Sequence, residues 1–549
     1  MLALRRAPAR LRWAHALVAL LAASACFACD GPSAPDAGAE DAGIPRDAHV
    51  ARDAYVPPDA HVPPDAGRED AGADAGVDDD AGTDAGSVGD AGPLPLVSVS
   101  HPREMRAVWL SSVFRLDFPS STSLSEAAAR AELGGIVDIV TAAGLNTIYF
   151  QVRPESDALY ASPLEPWSRF VSGTQGTSPG YDPLAILLEL AHRQGVEVHA
   201  WINPFRGLTS TTIVAAPNHV TQRFPEAAIP HNGAVVMDPS HAGVRAHIVS
   251  VVRDITRRYD IDGVIVDDYF YPYPGGGEFP DGPQYTAYVD AGGTLGKSDW
   301  RRENVNALMS ALSVAIKDEK PWARWGAAPF GIYRPGMPPG VTGLDAYEAI
   351  SCDPIRWIDE GWVDYLAPQL YWSSISSGQP FGPLIDWWAS RSRPGRPVIP
   401  SLALHKIGMG AEWAPSEFET QVSLTRAEAP STAGQTWFRY GFLRDSADAR
   451  TMMAGVYATP ALPPVVPGME SVAVGPPRVT PVGGGLLLSH STLGSIRGYA
   501  VYRSVGSAWN LERWVPAAAG SVPLGAGRYA VTAVNRGDVE SLGVDITLP

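Results

Sequence analysis

Between residues 106 and 442, short apolar runs rich in β-branched residues alternate with longer stretches in which apolar positions recur every three or four residues. The short runs predict strands over Arg106–Ser111, Asn146–Val152, Val196–Ile202, Gly263–Asp267, Arg324–Phe330, Asp364–Gln369, Pro397–Leu402 and Trp437–Phe442. The intervening stretches predict helices over Ser125–Ala143, Pro183–Gln194, Val244–Tyr259, Glu303–Lys317 and Ile355–Glu360. Eight strands alternating with helices predict an α/β fold, a closed (β/α)8 TIM barrel over residues 96–462. From about Pro464 the helical period vanishes. Runs at Arg478–Val482, Gly485–His490, Gly498–Ser504 and Gly527–Ala533 alternate apolar and polar positions, and predict a small all-β sandwich over 463–549.

The amino-terminal residues follow neither pattern. Arg5, Arg6, Arg10 and Arg12 precede an apolar run, Ala16 to Leu21, which is too short to span a bilayer and leads into small residues. Residues 1–29 therefore predict a secretion signal. Cys26, after Ala23-Ser24-Ala25, is the candidate for acylation as a bacterial lipoprotein, with Cys29 as the alternative. Cys352 has no evident disulfide partner in the folded region. Residues 30–95 are almost entirely Asp, Ala, Gly and Pro, with Asp47, Asp53, Asp59 and Asp65 recurring every sixth residue. Sixteen acids against three arginines give the stretch Asp30–Pro93 a charge of −13 within a chain total of −17. Such a composition buries too little apolar surface to order itself and predicts a disordered tether. Extended as polyproline II it would reach roughly 200 Å. The expected location is extracytoplasmic, on a membrane only through a lipid anchor and otherwise secreted. No basic cluster interleaved with aromatics points to nucleic acid, and the protein is expected to be a monomer.

In a barrel, chemistry collects at the carboxyl ends of the strands. The fourth predicted strand ends in Asp267 and Asp268, and the loop Tyr269, Phe270, Tyr271, Pro272, Tyr273 follows at once. Carboxylates beside stacking aromatics suit cleavage of a sugar polymer: the acids serve a cationic sugar centre and the rings stack on pyranose faces. The other rim positions are also polar or aromatic: Arg153, Glu155 and Asp157 after the second strand; His199, Trp201, Asn203 and Arg206 at the third; Gln369, Tyr371 and Trp372 at the sixth; His405 and Lys406 at the seventh. Of these, Arg153, Asn203, Arg206 and Gln369 are candidate hydrogen-bond partners of the sugar. Trp201, Tyr269, Tyr271, Tyr371 and Trp372 are candidate stacking platforms. No histidine pair shows zinc-ligand spacing, so no metal and no cofactor is expected.

The segments QVRPESDALY, PWSRFVSGTQGTSPGYDPL, AHRQGVEVHAWINPFR, DGVIVDDYFYPYP, DWRRENVN, APFGIYRP and EGWVDYLAPQLYW, in this order, resemble the glycosyl-hydrolase-like 10 family over about Pro102 to Tyr457. The resemblance implies a (β/α)8 bacterial enzyme, often a lipoprotein, that hydrolyses glycosidic bonds, for some members in peptidoglycan strands stripped of peptide. Ile265, where members usually carry a polar residue, and Ala327–Ala328 depart from the family pattern. The spacing from Asp262 to Asp267 also resembles the fourth strand of other sugar-cleaving barrels, where the last Asp is the nucleophile.

Strand alternation would send Asp267 and Asp268 to different sides, with Asp267 facing the substrate. Asp268 then tunes it, serves as acid or base, binds a sugar hydroxyl, or caps the next turn. Two carboxylates this close repel, which raises the pKa of one. A second catalytic carboxyl group is expected opposite the first, and Asp157, Asp353 and Glu155 are the candidates. Of these Asp353, before Pro354, also reads as a helix N-cap. The carboxy-terminal strands resemble fibronectin type III modules. The expected activity is glycoside hydrolysis of a cell-wall glycan, against the rivals of a non-catalytic glycan-binding lipoprotein and a polysaccharide deacetylase.

Overall fold

The computed structural model describes residues 94–549. The expected secretion signal, Cys26, Cys29 and nearly all of the Asp-rich stretch lie outside the described residues.

Eight parallel strands form the core sheet: β1 Met105–Leu110, β2 Thr147–Arg153, β3 Glu197–Ile202, β4 Gly263–Val266, β5 Arg324–Ala327, β6 in two pieces (Tyr365–Leu366 and Gln369–Leu370), β7 Ser401–Leu402 and β8 Gly434–Trp437. The two pieces of β6 pair in turn with β5 and β7, and β8 pairs with β1 at Gly434↔Met105, which closes the ring. Helices follow the strands in order: α1 Glu126–Ala142, α2 Pro183–Arg193, α3 Ala242–Arg258, α4 Lys297–Glu319, α5 Pro354–Asp359, α6 Phe381–Ala389, α7 Pro415–Ala427 and α8 Ala447–Val456. Their starts follow local chemistry. Ser125 and Asp182 accept from the backbone N–H three residues on, and α2, α5 and α7 carry proline in the first turn.

The barrel interior holds Met105, Trp109, Tyr149, Trp201, Ile265 and Tyr365. Two glycines make room for the larger rings. A Cβ on Gly326 would lie 2.2 Å from the Tyr365 ring, and one on Gly263 would lie 2.9 Å from the His199 imidazole. His199, expected at the rim, is therefore inside the barrel, where it meets the Tyr365 hydroxyl at 3.0 Å.

Three features differ from the sequence expectation. The eighth strand, expected over Trp437–Phe442, ends at Trp437, and residues 440–445 begin a helix instead. Helices α6, α7 and α8 fall where no helix was expected, although α6 buries Phe381, Leu384, Ile385 and Trp388 at helical spacing. Leu96–Val97, assigned with the barrel, pairs with Gly543 and Val544 at the edge of the carboxy-terminal sheet.

That carboxy-terminal module consists of two antiparallel sheets. One orders Leu96–Val97, Gly543–Leu548, Gly527–Asn535, Ile496–Val505 and Ala508–Pro516; the other orders Arg478–Val482, Gly485–Ser489 and Ser521–Pro523. Leu486, Tyr499, Val501, Tyr529 and Val531 are buried between them. The module sits against the amino-terminal end of the barrel. Arg497 reaches Glu197 at the start of β3 (2.9 Å) and Asp538 (2.7 Å), while Arg324 at the start of β5 reaches the same two acids at 3.3 and 2.7 Å. All four charged groups are largely buried. The opposite, carboxyl end of the barrel remains free.

Candidate active site

At that carboxyl end lies a cleft of about 490 Å³. Its floor is made by strand ends: Trp109 and Ser111 from β1, Gln151 from β2, Trp201 from β3, and Asp267 and Asp268 after β4. Tyr371, Trp372, His405, Lys406 and Phe438 close the far side. One wall is a small antiparallel sheet inserted after β3 (Arg206–Leu208, Ala228–His231 and Ala234–Met237). Among the residues that line the cleft, Asp267 and Asp268 are the carboxylates.

Strand β4 stops at Val266, so alternation does not extend through both acids and both reach the cleft. Asp267 Oδ2 accepts from Trp201 Nε1 at 3.1 Å and from Asn203 Nδ2 in a short contact. Its Oδ1 is buried and has no partner. Burial raises the Asp267 carboxyl above its usual range, opposed by the charge of Arg206 and by these donors. Asp268 accepts from the Tyr273 hydroxyl. Burial, and then the neighbouring charge of Asp267, push Asp268 up to about 7. Burial raises both, and their neighbours then differ: Asp267 has N–H donors and a cation beside it, Asp268 a phenol, the Gln369 amide and a like charge.

Asn203 does not line the cleft. It donates to Asp267 while accepting from Gln151 Nε2 at 2.7 Å and from Arg206 Nη1 at 3.2 Å, and so works as a positioning residue. Arg153 lies deeper still. Its guanidinium binds Glu165 at 2.7 Å and the backbone oxygens of Asn203 and Pro204 at 2.7 and 2.9 Å. It is fully buried and not a sugar contact, because Glu165 takes its Nε and Nη2 donors and the backbone after β3 takes Nη1. Arg206 lines the cleft, with its cation 4.8 Å from the centre of the half-exposed Tyr269 ring. Trp201, Tyr269, Tyr271, Gln369, Tyr371 and Trp372 all line the cleft as well.

The candidates for an opposing carboxylate are placed elsewhere. Asp157 is buried outside the cleft, held by the Glu155 amide at 3.2 Å and by Gln175 at 3.0 Å. Glu155 itself pairs with Arg169 at 2.8 Å. Asp353 caps α5 through the Arg356 amide at 3.4 Å and stays out of the cleft. Proline at the first helical position had already pointed to that role. The sequence reading missed Trp109, which packs edge-on against Trp201 with centroids 4.8 Å apart, and the cleft residues Phe438 and Phe442 that follow the shortened β8. It also missed Tyr273 as the partner of Asp268, although Tyr273 stands in the aromatic loop it singled out. The inward parity of β1 was the available signal for Trp109.

A closed eight-stranded barrel with acids and aromatic rings at its carboxyl rim is a fold of the glycosidase type. The chain belongs to the glycosyl hydrolase-like 10 family, whose pattern matches residues 104–416. It is similar to "Glycosyl hydrolase YngK" of Bacillus subtilis (strain 168), at 34% identity over 74% of this chain and 83% of that protein. It is also similar to "Glycosyl hydrolase DigH" of Escherichia coli (strain K12), at 33% identity over 64% of this chain and 86% of that one. Among solved structures, the PgaB (BpsB) glycoside hydrolase domain from Bordetella bronchiseptica aligns with a TM-score of 0.42 and 14% identity, over 64% of this chain and 98% of that chain.

Proposed function

We propose that this protein is an extracytoplasmic glycoside hydrolase that cuts glycosidic bonds in a bacterial cell-wall glycan, with peptide-stripped peptidoglycan strands as the first substrate to try. The carrying observation is the pair Asp267–Asp268 in an aromatic cleft, with Asp268 pushed up to about 7 and Asp267 supplied with N–H donors. A proton donor beside an anionic group is the minimum that acid-catalysed glycoside cleavage requires. Trp201, Tyr371 and Trp372 offer pyranose platforms, and Arg206 and Lys406 suit N-acetyl oxygens or a lactyl carboxylate. Acylation at Cys26, or at Cys29, would anchor the chain, and the acidic linker would let the barrel search a nearby polymer.

The carboxy-terminal module fits a fibronectin type III-like spacer. Its strands partition into sheets of three and four apart from the added Leu96–Val97, and the Tyr529 hydroxyl donates to Gly525 O at 3.0 Å in the manner of a tyrosine corner.

The test is release of reducing-end fragments from intact and amidase-stripped peptidoglycan by the purified chain, beside Asp267→Asn and Asp268→Asn. Release by the wild type, abolished in both variants with the fold retained, is the expected result. Tight pelleting on the wall without release would instead mark a glycan-binding protein.

A further inference from the structure

The cleft holds its two acids side by side and has no carboxylate facing them. Glycosidases that use two enzyme carboxyl groups place them across the scissile bond, about 5–5.5 Å apart for retention and about 6.5–9.5 Å for inversion. Asp267 and Asp268 are consecutive at the end of one strand, and the residues expected to oppose them are committed elsewhere: Asp157 to Gln175, Glu155 to Arg169, Asp353 to the start of α5. Among the lining residues there is thus no third carboxylate, elsewhere in the cleft, to work with Asp267 or Asp268 across the scissile bond.

Asp267 carries a second sign. Its Oδ2 is fully engaged by Trp201 and Asn203, yet Oδ1 is buried with no partner. A buried, unpartnered carboxylate oxygen costs free energy unless a donor arrives. The donors already present fix the carboxylate's orientation, so the incoming group must itself carry an N–H or O–H. Beside it, Trp109 and Trp201 meet edge to face, and Tyr371 lines the same cleft, its phenol raised by burial and further by the charges of both acids. An N–H acceptor next to a small aromatic enclosure matches an acetamido group: the N–H for Asp267, the methyl for the rings.

We propose that the nucleophile comes from the substrate: the 2-acetamido oxygen of a β-linked N-acetylhexosamine attacks C1, Asp267 Oδ1 accepts the acetamido N–H and Asp268 is the general acid–base. This rests on the glycoside hydrolase reading above. In the first step the acetamido oxygen–C1 bond forms and the bond from C1 to the leaving oxygen breaks. Asp268 gives its proton to that oxygen, which leaves an oxazolinium ion stabilised by the Asp267 carboxylate. In the second step water attacks C1 and gives a proton to Asp268, and the ring opens to restore the acetamide. Two displacements at C1 return the β configuration. The chemistry demands the trans-1,2 arrangement of a β-gluco-configured sugar and excludes glycans without N-acetyl groups at the cleaved residue.

The experiment uses the purified full chain on amidase-stripped wall glycan in four forms: native, chemically de-N-acetylated, re-N-acetylated, and re-acylated with trifluoroacetyl. Expected are β-anomeric first products by NMR, loss of cleavage on de-N-acetylation, recovery on re-acetylation, and a lower kcat for the trifluoroacetyl form, whose carbonyl oxygen is a poorer nucleophile. Azide supplies a check on the two acids. Added to Asp268→Ala with an aryl glycoside carrying a good leaving group, it should yield a β-glycosyl azide. Cleavage of de-N-acetylated strands at the native rate, or an α-glycosyl azide from Asp267→Ala, would make Asp267 the nucleophile; the glycoside hydrolase reading would then stand and the present one fall. No cleavage of any form would overturn both.

Discussion

Asp267 and Asp268 share a strand end, a loop and a cleft, yet their surroundings separate them chemically. Asp268 has the charge of Asp267 as its neighbour and is pushed up to about 7, first by burial and then by that charge. The ionisable groups that interact with it are Asp267, Tyr269, Tyr273, Tyr371 and Cys352. A general acid must be protonated to act, so kcat/KM should fall as pH rises through about 7, tenfold per unit beyond it. Asp268→Asn should lower turnover by about 10² to 10⁴ and remove that basic limb. The effect on stability has its own sign. An acid whose folded pKa is raised disfavours folding once it ionises, so its cost appears as pH rises from its ordinary 3.8 towards about 7. The Asn variant should therefore lose part of the wild type's decline in stability over that window, which chemical denaturation at several pH values would show. The sequence showed both acids and predicted repulsion between them. It could not assign the proton, because that depends on Trp201 and Asn203, more than sixty residues upstream of Asp267.

The strand ends supply the site through a relay of contacts. Glu165 holds Arg153, Arg153 holds the backbone at Asn203 and Pro204, and the Asn203 side chain holds Asp267. Burial alone would raise Glu165, but Arg153 and His247 outweigh it and keep its carboxyl at about 2. Its contribution to stability is full above its ordinary 4.5 and is lost as pH falls towards 2. Arg153→Met leaves a buried carboxylate without its partner and should cost about 3–5 kcal/mol by denaturant titration, with kcat falling as Asp267 loosens. Asp353→Ala should cost only about 1 kcal/mol through the lost cap of α5, with kcat unchanged. Sequence put Arg153 among the sugar contacts and Asp353 among the candidate second carboxyl groups. Asp353 was separable from sequence because an acid before proline has a local reading as a cap. Arg153 was not, because Glu165 and the backbone beyond β3 approach it only once the barrel has closed.

At the scale of the molecule, the barrel is used at both ends. The carboxyl end carries the cleft, and the amino end is covered by the sandwich through Glu197, Arg324, Arg497 and Asp538. Arg497→Met should destabilise the protein by about 3–5 kcal/mol by leaving two acids short of a cation. Calorimetry should then resolve separate barrel and sandwich transitions where the wild type shows one. Activity of the folded variant should be unchanged, since the interface lies at the opposite end from the cleft.

The sequence by itself determined what depends on near neighbours. Apolar periodicity set out the eight strands and the first helices, and one segment held both acids and their aromatic loop. Local patterns record local forces: alternation, capping and turn chemistry act over a few residues. Only the tertiary structure decided that β4 stops before Asp267, that Asp157 lies outside the cleft, that Arg153 supports the site without touching it, and that Leu96–Val97 joins the distant sheet. Each of these turns on contacts that the chain makes only when folded. Burial, orientation and the sharing of a proton belong to that closed arrangement, and no stretch of chain carries them alone.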